Sequence, residues 1–146
     1  MRPRLDLLTV AVSDLDVARR FYCEGLGWTA TLDVPGEVLF VQVNHGLLLA
    51  FFGARDLAAD MGVGSGPVVP GSGFTLAHNV DSPAAVRNVL AEAEAAGATI
   101  VKPAQRAEWG GFHGYFVDPC GIRWEVAHNS GLHVAPDGTI SLGPVE

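Results

Sequence analysis

The chain has 146 residues, 49% of them hydrophobic and 17% charged, and a net charge of −7. That is enough chain for one domain with a real core, burying roughly 68–70% of its unfolded surface, and its acidic balance argues against a nucleic-acid partner, which asks for a basic face. No apolar run approaches the ~18 residues of a membrane-spanning helix. The start, Met1-Arg2-Pro3-Arg4-Leu5-Asp6, lacks the apolar stretch of a secretion signal; with Cys23 and Cys120 read as reduced thiols, the expected compartment is the cytoplasm.

In chain order, Leu7 to Val12 reads as an apolar strand, and Ser13-Asp14-Leu15-Asp16 starts a helix with a capping residue and acids in its first turn. Leu15, Ala18, Phe21 and Tyr22 form its apolar stripe, and Gly25 and Gly27 end it. Three strands follow, at Trp28 to Asp33, Val38 to Val43 and Leu47 to Phe52, with Asn44-His45-Gly46 as the turn between the last two. Arg55 to Met61 has room for one or two helical turns before a Gly-rich connector, Gly62 to Pro67.

The second half repeats the plan. Phe74 to Val80 is a strand, and Ser82-Pro83 supplies the cap and first-turn proline of a helix running to about Ala96. Val86, Val89, Leu90 and Ala93 make its buried face. Strands then fall near Thr99 to Val101, at Phe112 to Val117 and at Ile122 to His128. Asp118-Pro119-Cys120-Gly121 has the chemistry of a type I turn joining the last two. The tail from Ser130 to Glu146 reads as carrying at most one short strand, at Thr139 to Leu142.

Each half is therefore strand, helix, three strands. Duplication of a unit that cannot bury its sheet face alone predicts an α+β fold of two tandem βαβββ modules, forming a cupped mixed sheet with the helices outside. The expected layout is a domain over residues 1–129, with modules at 5–52 and 73–129, a linker at 53–72 and a tail at 130–146.

These modules, with Val12-Ser13-Asp14-Leu15 leading to Arg20-Phe21-Tyr22 and Gly25-Leu26-Gly27-Trp28, resemble the vicinal oxygen chelate superfamily. That group holds glyoxalase I, extradiol dioxygenases, fosfomycin resistance enzymes and bleomycin-binding proteins. Asp118-Pro119-x-Gly121-x-x-x-Glu125 is similar to its last hairpin, and the resemblance runs from about Leu5 to Asn129. It implies a homodimer, and in metal-using relatives it implies ligands from the first and last strand of each module. Glu125 matches the final ligand position. The other positions fall at Leu7, at Leu49 or Ala50, and near Thr75, none of which suits a metal. A divalent metal is disfavoured, and the expected cofactor is none.

A carboxylate between Trp124 and Val126 still demands a partner or a role, because burying it bare is costly. If Glu125 faces the cleft, strand alternation puts Thr75, Asn79 and Asn129 beside it as a polar floor, with His78 and His128 behind the sheet. His113 lies in a strand whose facing the sequence leaves open. Trp109 and Tyr115, interleaved with glycines, read either as a stacking wall over a planar ligand or as core filling. The ligand-binding candidates are thus Thr75, Asn79, Trp109, His113, Tyr115 and Asn129, with Glu125 as the candidate catalytic group. Three functions follow from the resemblance and these residues. The first is a metal-independent binder of a small organic molecule. The second is a metal-free lyase or isomerase with Glu125 as general base, and the third a metal-dependent enzyme of glyoxalase or dioxygenase type with atypical ligands.

Overall fold

Alternating β-branched and aromatic residues build strands wherever one face is apolar, and each half of the chain does this four times around one principal helix. The computed structural model describes residues 1–3, 5–62, 69 and 73–143. It divides into two units, Met1–Ser72 and Gly73–Glu146.

In the first unit β1 (Leu7–Val12), β2 (Ala30–Val34), β3 (Val38–Asn44) and β4 (Leu47–Gly53) form a mixed sheet in the order β1-β4-β3-β2. β1 runs parallel to β4 and the other pairs are antiparallel. The helix α1 (Leu15–Arg19) starts at Asp14, whose carboxylate accepts from the backbone N–H groups of Asp16 and Val17. It then widens into a π-helical turn over Arg20–Gly25, where Leu26 N–H reaches back five residues to the Phe21 carbonyl at 2.9 Å. The stripe Leu15, Ala18, Phe21 and Tyr22 is buried. The Tyr22 ring lies 4.5 Å from Phe51 and 5.0 Å from Trp28, centroid to centroid. Arg19 ties the helix to β2 through Asp33, at 2.5 and 2.7 Å, and also pairs with Asp16. The Arg19 guanidinium holds the Asp33 carboxyl below the usual range. A second helix, α2 (Ala54–Met61), occupies the segment read as one or two helical turns, ending at Gly62 with φ +69°. Most of the proposed connector lies outside the described residues.

The second unit has the same plan. β5 (Leu76–Asn79), β6 (Thr99–Arg106), β7 (Phe112–Val117) and β8 (Arg123–His128) are ordered β5-β8-β7-β6, with β5 parallel to β8. The helix α3 (Pro83–Ala95) is capped by Ser82, whose hydroxyl accepts from Ala85 N–H at 3.1 Å. Its Val86, Leu90 and Ala93 are buried against the face that carries Phe116, Trp124 and Val126; Val89 is half-buried. Gly114 belongs to that face, and a Cβ there would sit 2.6 Å from Leu90 Cδ1 and 2.9 Å from the Lys102 carbonyl oxygen. Helix and sheet meet at that glycine.

Two expectations need correction. The strand expected near Thr99 to Val101 continues to Arg106, because β6 is an edge strand and its register shifts on either side of Lys102 absorb Pro103. The tail carries two strands rather than one: β9 (Leu132–Val134) pairs antiparallel with β10 (Ile140–Leu142). The turn between them is set by Gly138 at φ +84°, whose N–H donates to the Ala135 carbonyl. A three-residue strand is too short to announce itself by alternation.

Candidate functional site

The site is built on the sheet face of the second unit opposite α3. Because Gly114 and Phe116 face the helix, strand alternation sends His113, Tyr115 and Val117 to the other side. Register fixes their neighbours. Tyr115 is directly opposite Glu125, which in turn lies beside Ala77 of β5, while His113 is opposite Ala127, which lies beside Asn79. His113 and Glu125 are therefore diagonal neighbours on one face, a separation that two long side chains can close.

They do close it. His113 Nδ1 lies 2.6 Å from Glu125 Oε1, with side-chain exposures of 8% and 20%. A carboxylate accepts, so Nδ1 carries the hydrogen of this bond. The Tyr115 hydroxyl also hydrogen-bonds Glu125; burial first, and then this bond and the carboxylate charge, raise the Tyr115 pKa above its ordinary value of 10.0. Lys102 Nζ stands 5.8 Å above the Tyr115 ring, and the His113 ring meets Trp109 and Tyr115 edge-on at 5.6 and 5.5 Å. Trp109 is 44% exposed and rests on the backbone of Gly111, where a Cβ would fall 1.9 Å from its ring. That glycine is what lets the indole fold down.

Of the residues read from the sequence, the structure thus brings Glu125, His113, Tyr115 and Trp109 together. Glu125 is not a lone acceptor: the partner came from His113, whose facing only the register decides. Thr75, just before β5, donates its hydroxyl to the Arg123 carbonyl at 3.1 Å. Asn129, just past β8, accepts from Gly131 N–H at 2.9 Å and closes a turn. Asn79 shares the open face one row from Glu125 and has no hydrogen bond to it. His128 lies on the helix side and bonds the Val80 carbonyl through Nδ1 at 3.1 Å. Lys102 is the member sequence reading missed; its only signal was membership of an edge strand interrupted by Pro103.

The repeated four-stranded unit, with a helix on one face and polar groups gathered on the other, defines an α+β protein of tandem βαβββ modules. The chain belongs to the glyoxalase/bleomycin resistance protein/dioxygenase superfamily, whose sequence pattern matches residues 4–126. It is similar to a glyoxalase-related enzyme from Fulvimarina pelagi, at 32% identity over 98% of this chain and 100% of that one, with a TM-score of 0.89. A glyoxalase/bleomycin resistance protein/dioxygenase from Nocardioides is 28% identical, over 88% of this chain and 84% of that one, with a TM-score of 0.71. A lactoylglutathione lyase from Agrobacterium tumefaciens shares the fold at 22% identity, over 87% and 94% of the two chains, with a TM-score of 0.67. No curated protein matches the chain.

The resemblance implies a divalent metal, and the donors do not fit one. Leu7, Leu49 and Ala50 offer hydrocarbon, Thr75 is bonded to backbone, and Glu125 is held by His113 and Tyr115. Among the described residues no three His, Cys, Asp or Glu come together as a metal site, whereas protein metal sites use three or more such donors. Nor is any helix among them long and apolar enough to cross a membrane.

Proposed function

We propose that the chain binds a small organic molecule on the open face of its second unit, independently of the family's metal. The His113–Glu125 pair is the polar anchor, and Trp109 and Tyr115 are the aromatic walls. The observation that carries this reading is the 2.6 Å contact between two mostly buried polar groups on a face that also presents Ala77, Ala127 and Val117, with Asn79, Tyr115 and Arg123 beside them. Few, well-placed polar groups among apolar ones are what orient a ligand. A homodimer belongs to the same proposal and is checked by light scattering.

The test is a thermal-shift screen across metabolites and antibiotics, with hits titrated calorimetrically into the wild type, His113→Ala and Trp109→Ala. Both substitutions are expected to weaken a hit by about tenfold or more, one tenfold step being ~1.4 kcal/mol. Hits indifferent to both would overturn the site. A stoichiometric transition metal in protein purified without chelator, with binding lost on its removal, would overturn the metal independence.

A second reading, a metal-free lyase or isomerase, is favoured by one detail of the pair. With Nδ1–H held by Glu125, a neutral His113 would present Nε2 as the acceptor of a proton, so His113 rather than Glu125 would be the base and Glu125 its orienting partner. The Fulvimarina pelagi neighbour is itself described as an enzyme. Under this reading Glu125→Gln leaves ligand binding largely intact while turnover falls by about 10²–10⁴-fold; under simple binding there is no turnover to lose.

A further inference from the structure

The opposite face of the same unit holds a second feature, separate from His113 and Glu125. Phe112 faces α3, and three cationic or titratable side chains surround it. Arg106 is its register partner on β6, His128 its partner on β8, and the Arg87 guanidinium of α3 lies over its ring at 4.5 Å. These residues, with Pro83, Ser130 and the Gly110-Gly111 backbone, line a cavity of about 310 Å³. In a chain of net charge −7 an arginine readily finds acids, as Arg19 does with Asp16 and Asp33. Neither Arg87 nor Arg106 has a carboxylate partner among the described residues. Arg87 is steadied instead by the Phe112 ring and by a long bond to the Pro83 carbonyl at 3.4 Å.

We infer that this cavity is an anion site for the phosphate monoester of a small organic molecule, gripped by Arg87 and Arg106. Arg87 of α3 and Arg106 of β6 both line the cavity, and each guanidinium offers paired N–H donors suited to an oxyanion. A monoester carries about −1.5 to −2 charge and three acceptor oxygens, which matches two forks better than a carboxylate with two oxygens and one charge. Phe112 and Pro83 give the organic part an apolar wall. His128, its Nδ1 held by Val80, keeps Nε2 for a further hydrogen bond. The volume suits a ligand at the small end of the usual range of about 300–1,000 Å³. This site stands independently of the proposed function, since none of its side chains touches the open face.

The test uses the full chain at low salt, titrated calorimetrically with phenyl phosphate, inorganic phosphate and benzoate. Phenyl phosphate is expected to bind tightest, to weaken as salt rises, and to lose about tenfold or more in affinity with either Arg87→Gln or Arg106→Gln, the worth of one charge-assisted hydrogen bond. Both arginines are exposed, so the circular dichroism and melting of the variants should match the wild type. Absence of phenyl phosphate binding, or binding unchanged in the double variant, overturns the site. Benzoate binding as tightly overturns the phosphate assignment, and inorganic phosphate binding as tightly overturns the ester.

Discussion

His113 reaches diagonally from β7 to Glu125 on β8, so that one hydrogen bond of 2.6 Å fixes the imidazole and satisfies the carboxylate together. Replacing Glu125 leaves His113 Nδ1 without its acceptor, and replacing His113 leaves Glu125 with Tyr115 alone. His113→Ala is expected to cost about 1–3 kcal/mol in urea unfolding, from the loss of a charge-assisted hydrogen bond at a largely buried carboxylate. In a double-mutant cycle with Glu125→Gln, the two changes should couple by about 1 kcal/mol or more. Strict additivity would show that the two side chains do not bond in solution.

Tyr115 gives the site a pH signature. Its pKa is raised, mainly by burial and then by Glu125, so the folded state holds the phenol proton more tightly than the unfolded chain. The resulting stability is fully present below the ordinary value of 10.0 and is lost as pH rises through the higher folded value. Phenolate absorbance, compared with Tyr115→Phe to remove Tyr22, should show Tyr115 titrating late. In Glu125→Gln the titration should move down without reaching 10.0, because burial remains. A titration unmoved by Glu125→Gln would remove the Tyr115–Glu125 bond from the site.

Two glycines of one strand region should fail in different ways. Gly114→Ala drives a methyl into Leu90 and the Lys102 carbonyl, and is expected to cost about 1–3 kcal/mol by overpacking. Gly111→Ala collides with the Trp109 ring, a side chain that can swing away, and also brings its methyl to 2.8 Å from the His128 carbonyl oxygen, which cannot. Its expected result is a loss of stability together with a shifted Trp109 fluorescence, isolated by comparison with Trp109→Phe. Unchanged fluorescence would mean that the indole does not rest on Gly111.

Asp118 is 3% exposed and accepts from the N–H groups of Cys120 and Ile122, at 2.9 and 2.8 Å. It shapes the turn that sets the β7–β8 register, and so the opposition of Tyr115 and Glu125. Asp118→Ala should cost about 2–4 kcal/mol, from two buried donors left without an acceptor. Asp118→Asn, which keeps one oxygen, should recover part of it. If alanine and asparagine unfold alike in denaturant, these bonds do not hold the turn.

The α+β order of two strand-helix-strand-strand-strand modules is legible in local patterning alone. Hydrophobic periodicity, the caps Asp14 and Ser82 and the turn Asp118 to Gly121 are local signals, and each acts within a few residues of itself. The sequence also places Glu125 on a strand among apolar neighbours, which marks a residue needing a partner. The identity of that partner comes from strand pairing across the sheet. Strand facing flips with a one-residue slip, and the irregular glycine-rich approach from Glu108 to Gly114 hides it for His113. The pairing of β7 with β8 puts His113 and Tyr115 on Glu125, while Thr75 and Asn129 turn to nearby backbone. The same register gathers Arg106, Phe112 and His128 into one row beneath Arg87, residues spread along the chain from Arg87 to His128 that no local pattern connects.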